Sequence, residues 1–140
     1  MTHQDRPALV VHVEDSPDNQ RLVQWVLERT GRYEVIAAKD GVSGLELVQL
    51  RHPDLVLIDL DIPLLDGFEL ARRILAAEEL REIPLIAVSA SVMQREQQRC
   101  LDEGFVAFIA KPFDVQHFRQ VVDRQLRLRR SARADPPPAG

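Results

Sequence analysis

Cysteine is nearly absent. Cys100 stands alone in 140 residues, which excludes an internal disulfide and any cysteine-built metal cluster. Lysine is almost as scarce: Lys39 and Lys111 stand against 16 arginines. Aromatic residues make up 5% of the chain. No apolar run approaches the roughly 18 residues that a membrane-spanning helix needs. The longest run near the start, Ala8–Val13, is short and gives way at once to Glu14-Asp15, so no signal peptide is read there. The histidines His3, His12, His52 and His117 are scattered without ligand spacing. These absences point to a cytoplasmic chain without disulfides.

What is present fits one globular domain. Apolar residues make up 45% and charged residues 29%, a balance that rules out wholesale disorder. The length predicts a single domain over residues 8–130, with a lead over 1–7 and a proline-rich tail over 131–140. The net charge of −4 gives no reason to expect direct DNA binding. Charge is unevenly spread. From Val115 onward six arginines face Asp123 and Asp135, a net of +4, so the remainder carries −8. A solvated helix face with arginines near its carboxyl end accounts for this on its own; an acidic partner is the alternative.

Short apolar runs alternate with longer periodic segments. Strands are predicted at Leu9–Val13, Glu34–Ala38, Leu55–Ile58, Leu85–Val88 and within Phe105–Ala110. Ser16-Pro17 opens the first helix, with Ser as cap and Pro in the first turn. Its apolar residues are Leu22, Val23, Val26 and Leu27, with Trp25 read as core or near-core. Asp40-Gly41 leads into a helix through Leu45, Leu47, Val48 and Leu50, and Asp66-Gly67 into one carrying Phe68, Leu70, Ala71, Ile74 and Leu75. A fourth helix has a weaker stripe of Val92, Met93 and Leu101, and a fifth has Val115, Phe118, Val121, Val122 and Leu126. Five nearly continuous apolar strands alternating with five helices predict an α/β fold: a flavodoxin-like, doubly wound parallel sheet of order 2-1-3-4-5.

In such a sheet, function sits beyond the carboxyl ends of the strands. Those ends carry Glu14-Asp15, Asp59, Ser89 and Lys111. Converging carboxylates are unfavourable unless a cation neutralises them. An oxygen-only ligand set suits a hard ion, foremost Mg²⁺, which commonly pairs one or two carboxylates with a phosphate. Asp59, ending the central strand, is the natural nucleophile, since carboxylates form acyl phosphates. Lys111 would neutralise phosphoryl charge, and Ser89 would donate to a phosphoryl oxygen. Placing one of only two lysines here suits a compact ammonium rather than a planar fork.

Together these pieces resemble a known family. Val13-Glu14-Asp15, the Asp40-Gly41 turn, DLDIPLLDG from Asp59 to Gly67, Val88-Ser89-Ala90 and Lys111-Pro112 resemble, in order and spacing over roughly residues 8–128, the receiver domain of two-component response regulators. The resemblance implies a stand-alone receiver that is not an enzyme in its own right. Asp59 would take a phosphoryl group from a histidine kinase or phosphotransfer protein. Asp15 would bind Mg²⁺ directly, beside Asp59, Glu14 would do so through water, and the main-chain carbonyl of Asp61 would be a further ligand. Ser89 and Phe108 would form the switch, and the Lys111–Pro112 bond would be cis. A separate effector would dock on the surface of the fourth helix, fifth strand and fifth helix, the same face through which a homodimer would form.

Three positions depart from or extend the pattern. Glu14 stands where many receivers have Asp. Phe108 lacks the hydroxyl of a tyrosine switch. The Asp61 side chain lies two residues beyond Asp59, where its charge would favour Mg²⁺ and discourage anionic phosphodonors. Asp59-Leu60-Asp61 also imitates the D-x-D of haloacid-dehalogenase-like phosphatases, in which the first Asp is nucleophile and the second acid/base. In that family the motif ends the first strand, whereas here Glu14-Asp15 precedes it. A flavodoxin-like electron carrier would need a hydroxyl- and glycine-rich phosphate loop where Glu14-Asp15-Ser16-Pro17 stands.

Overall fold

The computed structural model describes residues 6–91 and 93–134. Strands β1 (Ala8–Val13), β2 (Tyr33–Ala38), β3 (Leu55–Asp59), β4 (Leu85–Ser89) and β5 (Ala107–Ala110) alternate with helices α1 (Pro17–Glu28), α2 (Gly41–Arg51), α3 (Gly67–Ala76), α4 (Gln94–Asp102) and α5 (Val115–Ala134). All strand pairs are parallel, in the order β2-β1-β3-β4-β5. The expected fold class and strand order are both observed.

Alternate residues of each strand feed two cores, as the period of two requires. Val11, Val13, Val56 and Ile58 pack on the α2, α3 and α4 side. Val10, Leu55, Leu57 and Ile109 pack with Val26 and Leu27 of α1 and Phe118 and Val122 of α5. Local signals set the helix starts. The Ser16 hydroxyl accepts from the Asn19 N–H, the Asp40 carboxylate from the Ser43 N–H at 2.7 Å, and the Asp66 carboxylate from the Glu69 N–H at 2.9 Å. Asp54 ties the sheet's other edge: its carboxylate accepts the Leu9 N–H at 2.8 Å, and its own N–H donates to the Leu9 carbonyl at 2.8 Å.

Some apolar residues read as core are not. Trp25 is 54% exposed, with the Arg29 guanidinium 4.4 Å from its ring centre. Leu22 and Leu50 are exposed as well. A helix buries one stripe, and Val23, Val26 and Leu27 already fill that of α1. The α4 stripe fares likewise: Cys100 is its buried residue, Met93 and Leu101 are exposed, and Val92 lies outside the described residues. Helix α5 runs to Ala134, four residues into the segment expected to be tail. The proline run, within 135–140, lies outside the described residues, as do residues 1–5 of the lead. Among the described residues no helix is long and apolar enough to cross a membrane.

Candidate functional site at the carboxyl edge of the sheet

Parallel register delivers the strand-end residues to one place. Asp59 of β3 is level with Val88 of β4, and Ser89 of β4 with Ala110 of β5. Lys111 follows directly, and its N–H donates to the Ser89 carbonyl at 2.8 Å. The Lys111–Pro112 peptide is cis. Glu14 and Asp15 follow β1, and the Glu14 N–H is held by the Ala38 carbonyl at 2.8 Å.

Glu14, Asp15 and Asp59 each offer a carboxylate oxygen within 4.8 Å of the others. Glu14 and Asp59 are buried and Asp15 is exposed, so the group opens to solvent on one side. The Lys111 ammonium lies between the two buried carboxylates, 2.5 Å from Asp59 Oδ2 and 2.9 Å from Glu14 Oε1. Asp59 Oδ1 accepts the Asp61 N–H at 2.8 Å. Burial pushes the Glu14 carboxyl above its ordinary range, against the opposing hydrogen bonds from Lys111 and the Ser16 N–H. Burial also works against the Lys111 charge, but hydrogen bonds to Asp59 and Glu14 outweigh it and hold the ammonium above its ordinary value. Nearby His12 is driven down to about 4, first by burial and then by the Lys111 charge.

The remaining residues stand in a second ring. The Ser89 hydroxyl accepts the Ser91 N–H at 3.1 Å and donates to Glu96 Oε1 of α4 at 3.3 Å. Phe108 is half-buried against the α2–α3–α4 core. The Asp61 side chain is exposed on the loop between β3 and α3. Gly67 allows that loop to close: a Cβ there would stand 2.8 Å from the Leu60 Cα and 3.0 Å from the Asp59 carbonyl oxygen. Sequence reading passed over Glu96 and Gln20, whose side-chain amide donates to the Glu14 carbonyl at 2.6 Å. Both lie on helices, where a lone polar residue carries no local mark of an inward contact. In the sequence, Asp66-Gly67 reads only as a turn and helix start.

The donor set fits a hard divalent cation: three carboxylates, no nitrogen or sulfur, and an ammonium already drawn between two of them. A family model described as response regulator receiver domain matches residues 10–123. The chain belongs to this family. The receiver is 37% identical over 117 residues to the polar-differentiation response regulator DivK of Brucella ovis, covering 84% of this chain and 94% of that one. Among solved structures it is similar to the receiver domain of the sensor histidine kinase PA1611 of Pseudomonas aeruginosa PAO1, which has a magnesium ion coordinated in its active-site cleft. That match has a TM-score of 0.79 and 30% identity, covering 86% of this chain and 98% of that one. A receiver domain of a Syntrophus aciditrophicus histidine kinase matches with a TM-score of 0.78 and 31% identity, over 85% and 89% of the two chains. The acidic group of this receiver is consistent with a Mg²⁺-dependent phosphorylation site in two-component signalling. The phosphatase reading of Asp59 and Asp61 finds no support in these relationships.

Proposed function

We propose that Asp59 accepts a phosphoryl group from a histidine kinase or phosphotransfer protein, and that the phosphorylated surface is read by a separate protein in the cytoplasm. The observation that carries this reading is the convergence of Asp59, Glu14, Asp15 and Lys111 at one sheet edge. A carboxylate oxygen of Asp59 attacks phosphorus, the bond from phosphorus to the donor imidazole breaks, and the imidazole leaves with its electron pair. Asp15 and Asp59 would hold Mg²⁺ directly, Glu14 through water, and the Asp61 main-chain carbonyl would complete the protein ligands. The ion would supply charge neutralisation for the phosphoryl oxygens.

The chain's own groups divide the remaining work. Lys111, already bonded to Asp59, follows the negative charge onto the phosphoryl group. The Asp61 N–H holds one Asp59 oxygen and so orients the other. Ser89 leaves Glu96 to donate to a phosphoryl oxygen, and Phe108 turns into the space vacated. This is a population shift driven by contacts that only the phosphorylated state makes. The effector face comprises α4, β5 and α5, where Met93, Leu101 and Val106 are exposed. Residues 8–130 would be the minimal receiver.

The test is labelling by acetyl phosphate with Mg²⁺, read as intact mass. Wild type gains one phosphoryl group. Asp59→Asn gains none, and chelation of Mg²⁺ abolishes labelling of the wild type. Equal labelling of Asp59→Asn would overturn the assignment. Steady turnover of p-nitrophenyl phosphate would instead indicate a phosphatase.

A further inference from the structure

A second polar site lies at the opposite edge of the sheet, where the strands begin. A cleft of about 430 Å³ is bounded by Arg6 just ahead of β1, by Arg32 and Tyr33 at the start of β2, and by Arg127 and Arg130 of α5. The four arginines come from three separate stretches of chain that only the fold brings together. A preference for arginine near a helix carboxyl end therefore explains two of them at most. Arg127 and Arg130 also stand ahead of the last turn of α5, which runs to Ala134.

Among the described residues Asp123 is the acidic group lining the cleft, and it is already engaged. It accepts the Tyr33 hydroxyl and pairs with Arg32 at 3.2 Å. Among the described residues no ion pair involves Arg6, Arg127 or Arg130. The cleft thus presents three guanidinium groups without a carboxylate partner among the described residues, in a chain whose overall charge is −4. Guanidinium groups bind phosphate oxygens in bidentate fashion. The volume falls within the roughly 300–1,000 Å³ of small-molecule sites, far more than one inorganic phosphate fills. Pro7 and Leu126 add apolar wall, and the Gln120 amide, a donor and acceptor together, lies beside them.

We propose that this cleft binds a nucleotide carrying two phosphates. Arg6, Arg127 and Arg130 hold the phosphoryl oxygens, the base lies against Pro7 and Leu126, and Gln120 reads its edge. The Asp123 carboxylate fixes Tyr33 and Arg32 as the floor. The six residues of β1 separate this cleft from Glu14, about 20 Å at strand rise, so occupancy here does not compete with phosphorylation at Asp59.

Calorimetric titration of the full chain with ADP and GDP tests this, against inorganic pyrophosphate, phosphatidylglycerol vesicles and a DNA duplex. One nucleotide binds per chain, and added salt weakens binding. Arg127→Ala/Arg130→Ala loses about tenfold or more in affinity, the least expected from removing two charge-assisted contacts. Arg6→Ala, just ahead of β1, gives a smaller loss without touching a helix. Both variants keep the wild-type far-UV spectrum and take up phosphoryl from acetyl phosphate at the wild-type rate. The proposal is overturned by absence of ADP and GDP binding at millimolar concentration, by pyrophosphate binding as tightly as either, by unchanged affinity in the double variant, or by capture on vesicles or duplex without nucleotide binding.

Discussion

The Ser89 hydroxyl donates to the Glu96 carboxylate at 3.3 Å, so a helix that belongs to the proposed output face holds the residue proposed to contact the phosphoryl group. The bond can form only while Ser89 faces α4, and it opposes the switched state. A hydrogen bond to a charged partner contributes about 1 kcal/mol or more. Glu96→Ala should therefore bind beryllofluoride, which mimics the acyl phosphate, about fivefold more tightly than wild type. Titration in the presence of Mg²⁺ measures this; equal or weaker binding would rule out a restraining role.

Asp61 offers a second test. Its N–H is committed to Asp59, while its side chain is exposed and acts only through its field. An exposed charge near a site contributes about 0.5 kcal/mol. Asp61→Asn should label with acetyl phosphate about twofold faster at saturating Mg²⁺ and need more Mg²⁺ to reach half-maximal rate. If labelling, decay and Mg²⁺ demand are all unchanged, the side chain has no modulatory part.

Tyr33 makes alkaline stability a reporter for the opposite edge. Burial, then the hydrogen bond to Asp123 and the Asp123 charge, hold its phenol well above the ordinary value. The folded state therefore keeps a proton that the unfolded chain releases near its ordinary pKa of about 10. The contribution is intact below that pH and is lost as pH rises above it. Urea midpoints for wild type should fall between pH 9 and pH 11 more steeply than for Tyr33→Phe; parallel curves would contradict this.

Gly67 is the tightest steric point beside Asp59. An added Cβ meets the Leu60 Cα at 2.8 Å and the Asp59 carbonyl oxygen at 3.0 Å, both backbone atoms that cannot swing aside. Gly67→Ala should cost about 2 kcal/mol or more in urea unfolding, and acetyl phosphate labelling should slow as β3 and its loop shift. A loss below about 0.5 kcal/mol would mean the loop gives way freely.

The alternation of strands and helices was legible in the sequence because hydrophobic period, capping serine and aspartates, and strand-end charges are all local. Asp59, Glu14, Asp15, Ser89 and Lys111 could be singled out for the same reason: each interrupts or follows an apolar run at a strand's carboxyl end, and a parallel sheet leaves those ends together. What lay beyond the sequence depends on contacts between distant segments. Lys111 reaches Asp59 across 52 positions and Glu14 across 97, at distances set by sheet register. Glu96 turns toward Ser89 because of how α4 sits on the sheet. Trp25 faces solvent because the stripe of α1 was already filled. The arginine cleft shows the difference most clearly. Its members look like ordinary solvated charges along the chain, and only the fold places Arg6, Arg32, Arg127 and Arg130 around one cleft.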